Sequence, residues 1–167
     1  MFTPNNVTRL LDSRGIKYVA FELPAEKLGA AETAQLLHVP AHLVFKTIVV
    51  KRDRPMRPLL ALIPGTAKLD LKLLAAAVGE KKVYLPTERA AEAMTGLQAG
   101  GISPLALLNK GFQIVLDASA QDHTEIHVSG GRRGLNIRLP VADLLDLTRA
   151  SVHALSRPAA EDSSPSA

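Results

Sequence analysis

Val44-Phe45-Lys46-Thr47-Ile48-Val49-Val50 is a continuous, β-branched apolar run interrupted by one cation and one hydroxyl. It predicts the clearest strand of the chain, over residues 44–51. Side chains alternate along a strand, so Lys46 shares a face with Val44, Ile48 and Val50. If that face is interior, a cation is held in an apolar wall, which is costly unless it is paired or offered to a ligand. A cleft lysine binds phosphate or a developing anion. A lysine near a strand end simply reaches solvent. The pattern leaves both readings open.

Working outward, residues 59–63 form a second apolar strand. The connection between the two strands, residues 51–57, holds four cations and one carboxylate and reads as a solvated hairpin loop or, alternatively, an RNA contact. Towards the N-terminus, Thr3-Pro4 followed by Val7, Leu10 and Leu11 predicts a capped helix stopped at Gly15. A short strand over 17–22 and a helix over 31–37, ended by Pro40, come next. Beyond residue 63, Asp70 caps a helix to Val78 with Gly79 as its stop, residues 81–85 form a strand, and Thr87 to Met94 form a helix closed near Gly96. Strands are expected over 113–116, 124–128 and 135–139, then a helical stretch over 141–155. From Pro158 the composition turns to Ala, Ser, Pro and acid, the signature of a disordered tail over 158–167 behind one domain of residues 1–157. About seven short strands mixed with about five helices, without a βαβ rhythm, argue for an α+β domain with a mixed sheet or barrel.

The 167 residues are 47% hydrophobic, enough for a core without disulfides, and contain no cysteine, which excludes thiolate zinc. No apolar run approaches the roughly 18–20 residues of a membrane span. The N-terminus lacks both a cationic start and an apolar stretch, so no signal peptide is read and a cytoplasmic location is expected. A net charge of +4 permits an anionic partner such as RNA without demanding one. Scarce aromatics, with no Trp, disfavour a base-stacking platform.

Two glycine-rich segments add chemistry. Gly100-Gly101-Ile102-Ser103-Pro104 lets backbone approach a ligand and turn N–H groups towards a carbonyl oxygen, or else is an ordinary turn with Ser103 capping a helix that starts at Pro104. Ser129-Gly130-Gly131-Arg132-Arg133-Gly134 is a hairpin whose arginines would grip ribose or phosphate, or simply a turn with exposed cations. It is not a Walker A loop, because the Gly-Lys-Ser/Thr ending is absent. His123 and His127 sit four apart on an expected strand, about 13 Å and too far to share an ion. His38 and His42 are split by Pro40. No nucleophile elbow and no acidic cluster are present, so no metal and no cofactor are expected.

These features occur in the order found in the YbaK family of Cys-tRNA(Pro) deacylases, within the prolyl-tRNA-synthetase-associated editing superfamily. The strand at 44–50 resembles that family's V-[YF]-K-T-[LI]-[LV]-V. Thr95-Gly96 through Gly100-Gly101-Ile102-Ser103-Pro104-Leu105 resembles its T-G-x-x-x-G-G-I-S-P-L. Residues 128–135 resemble its V-S-G-G-[KR]-R-G-L, and Lys68-Leu69-Asp70-Leu71-Lys72 its L-D-L-K helix start. The likeness spans residues 5–150.

The resemblance implies a mixed β-sheet curled into a barrel with flanking helices. It also implies trans-editing of mischarged aminoacyl-tRNA, with tRNA(Pro) and prolyl-tRNA synthetase as partners and no membrane. Carried over residue by residue, Lys46 is the catalytic candidate, holding the terminal adenosine's phosphate or ribose hydroxyls. Backbone at Gly100, Gly101 and Ile102 positions the ester carbonyl. Phe21, Thr47, Ser103, Ser129, Gly130, Gly131, Arg132 and Asn136 complete the substrate-binding set. For a cysteinyl ester, the substrate's own thiol attacks the ester, which explains why no triad is needed. Two positions depart from the family. Phe21 stands where its tyrosine is expected and removes a hydroxyl contact. Asn136 stands where relatives such as the enterobacterial protein carry Asp, which weakens a contact to the substrate ammonium. The competing readings are a non-catalytic aminoacyl-tRNA or nucleotide-binding module, and a ligand-free structural protein, which would require Lys46 to be exposed.

Overall fold

The computed structural model describes residues 2–53 and 57–159. In chain order the elements are α1 (Asn6–Ser13), β1 (Val19–Glu22), α2 (Ala30–Leu37), β2 (Phe45–Arg52), β3 (Leu59–Pro64), β4 (Ala67–Leu69), α3 (Leu71–Ala77), β5 (Val83–Tyr84), α4 (Glu88–Thr95), β6 (Gln113–Asp117), β7 (Glu125–Ser129), β8 (Leu135–Pro140), α5 (Val141–Thr148), β9 (Ser151–His153) and β10 (Ser156–Pro158). A five-stranded mixed sheet, β5-β2-β3-β6-β9, runs through the centre. β2 pairs antiparallel with β3, and β3 and β6 run parallel, as do β6 and β9.

Every residue of β3 is buried, and the strand serves two cores. Leu60 and Leu62 join Phe45, Val49, Ile114 and Leu116 against the second sheet, β1-β8-β7, with Val7 and Leu11 of α1 and Leu144 of α5. Leu59, Ala61 and Ile63 join Val50 and Val115 on the opposite face, covered by Leu74 of α3, Leu69 of β4 and Leu155. A strand with two apolar faces needs a layer on each side.

The barrel expected from the family resemblance is therefore not found: the strands divide into separate sheets, and none closes. The two larger sheets meet at a single parallel bridge, Val44 to His127. One contact of this kind does not continue a ladder, because β2 gives its remaining pairing to β3 and, at Lys51–Arg52, to β5.

Local expectations also shift. The cap of α1 is Asn5 rather than Thr3: its Oδ1 accepts the Thr8 N–H at 3.0 Å, and Thr8 Oγ1 accepts the Asn5 N–H at 2.9 Å. Asp70 caps α3 as read, accepting from Lys72 and Leu73. Lys51 and Arg52 belong to β2 rather than to a solvated loop, and the buried Arg52 side chain lies 3.9 Å from Glu80. Residues 54–56 of that loop lie outside the described residues. The strand expected over 81–85 narrows to two residues, which pair with Lys51 and Arg52.

The helix expected to run to 155 ends at Thr148, where Arg149 adopts a left-handed cap with φ 53°. The chain then turns into β9 and β10. Asp117, 4% exposed at the end of β6, holds this turn: its Oδ1 accepts the Leu155 N–H at 2.8 Å, and its Oδ2 accepts from Ser119. Asp117→Ala leaves a buried N–H unpaired and is expected to lower the unfolding free energy by about 2–4 kcal/mol in a urea titration, with Asp117→Asn costing less. The tail boundary moves as well. Pro158 pairs with Ala67 in β10, and the Ala159 N–H donates to Thr66 O at 3.3 Å. The remainder of the expected tail, residues 160–167, lies outside the described residues. Among the described residues no helix is long and apolar enough to cross a membrane.

Candidate active site

The start of β2 delivers Lys46 and Thr47 to a cavity of about 270 Å³. Three further pieces of chain complete it: the loop after β1 with the first turn of α2, the segment at Ala99, Gly100 and Ile102, and the β7–β8 ends at Ser129, Gly134, Leu135 and Asn136. Lys46 falls on the side of Ile48 and Val50, as strand alternation requires, and is half-buried. Burial pushes its ammonium below the ordinary lysine pKa. Among the described residues, no carboxylate lies within ion-pair distance of it, although Glu26 lines the same cavity. Thr47 Oγ1 is buried without a hydrogen-bond partner among the described residues. Such a group costs free energy until a ligand or a water satisfies it.

The two glycines of the 100–104 segment do different things. The Gly101 N–H is already committed to Gln98 O at 2.8 Å. Gly101 exists for a chain crossing, since an added Cβ would sit 2.8 Å from the Arg132 backbone carbon and 2.9 Å from Arg133 N. Arg133 fastens the crossing by donating Nε–H to Ala99 O at 2.7 Å. Gly100 and Ile102 line the cavity, and their N–H groups have no acceptor among the described residues. Among the described residues they, rather than Gly101, are the uncommitted backbone donors of this segment.

Ser103 is fully buried and caps the 3-10 turn Pro104–Ala106, accepting the Leu105 N–H at 3.2 Å. In the hairpin, Ser129 lines the cavity, and its hydroxyl accepts from Gly131 N at 3.3 Å. The Gly130 carbonyl accepts from Asn5 Nδ2 at 2.8 Å. Arg132 turns away to brace the N-terminus, donating to Thr3 O at 2.9 Å and Glu22 Oε1 at 3.1 Å. Phe21 packs beside the His127 ring, with a 5.6 Å centroid separation, and under the Arg138 guanidinium. Lys46, Thr47, Gly100, Ile102, Ser129 and Asn136 thus meet around one cavity. Phe21, Gly101, Ser103, Gly130, Gly131 and Arg132 stand outside its lining and frame it.

Sequence reading missed the wall made by Glu26, Leu28, Gly29, Ala30 and Thr33. The only signal was the Pro- and Gly-bounded run Pro24-Ala25-Glu26-Lys27-Leu28-Gly29, which marks a loop and not its neighbours. It also missed His127, which was weighed only as a metal partner for His123. His123 lies before β7 with its ring 5.3 Å from that of His42, and among the described residues no group of three metal-binding side chains meets. His127 instead pairs with Asn136, Nδ1 to Oδ1, at 2.8 Å.

The cavity therefore offers a cation, backbone donors and neutral polar groups. Ser129, the serine among its lining residues, has no base bonded to its hydroxyl among the described residues. This equipment suits positioning an ester more than attacking it.

A model of the aminoacyl-tRNA editing domain family matches residues 25–147. EbsC of Enterococcus faecalis, named as a Cys-tRNA(Pro)/Cys-tRNA(Cys) deacylase, is 36% identical over 145 residues, covering 86% of this chain and 87% of its own. A crystal structure described as that of a trans-editing enzyme for prolyl-tRNA synthetase superposes with a TM-score of 0.77 at 27% identity, covering 93% of this chain and 99% of the other. Hypothetical protein APE2540 shares the fold at a TM-score of 0.84 and 24% identity, over 92% of this chain and 100% of its own.

Proposed function

The chain belongs to the aminoacyl-tRNA editing domain family, and on that premise we propose that it is a trans-editing deacylase that releases cysteine from Cys-tRNA(Pro). One observation carries the reading: Lys46, with no carboxylate partner among the described residues, lines one cavity with Gly100 and Ile102, whose N–H groups have no acceptor among the described residues, and the Ser129 hydroxyl there has no base bonded to it among them. Lys46 binds the terminal adenosine's phosphate or ribose hydroxyls. The Gly100 and Ile102 N–H groups hold the ester carbonyl and the oxyanion that forms from it.

The nucleophile comes from the substrate. The cysteine sulfur bonds to its own ester carbonyl carbon, the bond from that carbon to the ribose oxygen breaks, and the thiol proton ends on the ribose oxygen. The products are a cyclic thiolactone, later opened by water, and free tRNA. Holding a nucleophile already attached to its electrophile lowers the barrier by about 7–11 kcal/mol in ideal cases. Residues 1–159 act as one editing domain in the cytoplasm. Prolyl-tRNA synthetase supplies tRNA choice, a role supported by the fold shared with a trans-editing enzyme for that synthetase.

The test is deacylation of Cys-tRNA(Pro), Ala-tRNA(Pro) and Pro-tRNA(Pro). The cysteinyl ester is expected to be cleaved fastest, with the alanyl ester at least about tenfold slower for want of a thiol and the prolyl ester spared. If no ester is cleaved above background, even with prolyl-tRNA synthetase added, the reading fails. A protein that protects the ester is then a binding module.

A further inference from the structure

Asn136 is 5% exposed and His127 is 2% exposed, and their side chains meet in a 2.8 Å hydrogen bond at the cavity wall. An amide oxygen only accepts, so the bond with Asn136 Oδ1 requires the proton on His127 Nδ1. That proton fixes both groups: His127 takes its Nδ1–H tautomer, and the Asn136 amide is held with Nδ2 free of any partner among the described residues.

We propose that His127 is a positioning residue which, by gripping Asn136 Oδ1, makes this wall of the cavity a hydrogen-bond donor for an acceptor oxygen of the bound ester. The inference rests on the deacylase reading and adds to it a specificity rule. Where a carboxylate at residue 136 would attract a substrate ammonium, the amide Nδ2 repels a donor and takes a carbonyl or hydroxyl oxygen. His127 has no other hydrogen-bond partner among the described residues, and burial lowers its pKa, so the neutral ring and its tautomer persist at neutral pH. Phe21 packs tilted against the ring, its plane 42° from that of His127, and presents an apolar face on that side.

Two measurements decide the matter. Long-range ¹H–¹⁵N correlation on the ligand-free protein is expected to show His127 protonated at Nδ1. An Nε2–H tautomer overturns the proposal, because the amide must then be flipped with its oxygen towards the ligand. In kinetics with Cys-tRNA(Pro), His127→Phe keeps the ring and loses the donor, and it is expected to lower kcat/KM about tenfold. His127→Gln, which retains an N–H, is expected to recover most of that loss. The double variant His127→Phe/Asn136→Ala is expected to be no worse than Asn136→Ala alone. Equal losses in the Phe and Gln variants, or additive losses in the double variant, overturn the proposal in favour of simple packing. If the unsubstituted protein cleaves no ester, the deacylase reading is what fails, and the tautomer measurement alone judges the hydrogen bond.

Discussion

Replacing Lys46 with methionine is expected to lower kcat/KM for Cys-tRNA(Pro) about 10²–10³-fold, the usual cost of removing one preorganised charge from a reaction site. The fold is expected to be at least as stable as before. Lys46 is half-buried without a carboxylate partner among the described residues, and burial depresses its pKa below the ordinary lysine value of 10.5. The sign follows. A basic group with a folded pKa below its unfolded one destabilises the fold while it is charged, and that cost shrinks as pH rises past the folded pKa and is gone above the unfolded one. Methionine has nearly the same length and no charge, so the cost is absent at every pH. A thermal melt of Lys46→Met at pH 7 that is equal to or above that of the parent, together with lost turnover, identifies a lysine kept for its ligand. A lower melt with turnover intact identifies a structural lysine and removes it from the site. The same depressed pKa predicts that turnover, corrected for base-catalysed background, falls on the alkaline side below the ordinary lysine range.

Gly134→Ala is expected to be the most damaging single-methyl addition near the cavity, costing about 2–5 kcal/mol from backbone strain plus overpacking. Gly134 has φ +84°, and a Cβ there would lie 2.6 Å from the Leu23 carbonyl oxygen and 3.1 Å from Ala25 Cα. Those neighbours are backbone and cannot rotate away. The Leu23 N–H also donates to Gly134 O, so the hairpin and the loop after β1 are tied at the point where both line the cavity. Gly96→Ala supplies the comparison, because Gly96 has φ +73° with nothing within 4 Å of an added Cβ. It pays strain alone, about 1–2 kcal/mol. Guanidinium unfolding of the two variants separates the contributions. A Gly134 loss no larger than the Gly96 loss means that the loop yields, and that the cavity wall is softer than the crossing implies. A larger loss accompanied by reduced turnover means that the crossing shapes the site.

What could be read from residue order was what depends on near neighbours. The alternation of 44–50 set Lys46 on the face of Ile48 and Val50, and the cap at Asp70 lies where a carboxylate precedes an apolar run. The glycine segments were legible as places of close approach, because only glycine lets two backbones touch. Residue order could not say which backbones touch. Gly101 reads as a ligand-facing donor in sequence and is a crossing point in space, its N–H spent on Gln98. Arg132 reads as a phosphate grip and instead holds Thr3 and Glu22. Residues 149–155 read as helix until Asp117, more than thirty positions earlier, accepts the Leu155 N–H. His127 has no neighbour in sequence that explains it, and only the pairing of β7 with β8 brings it to Asn136.

The strand that carries Lys46, the mixed α+β character and the family are legible in residue order, because composition, periodicity and motif order are properties of the chain. That the sheets stay open, that Gly100 and Ile102 keep their N–H groups uncommitted among the described residues, and that Asn136 is held by His127 are settled by contacts in space. Each of these depends on how strands pair and loops pack in space, and such pairing leaves no local trace in the order of residues.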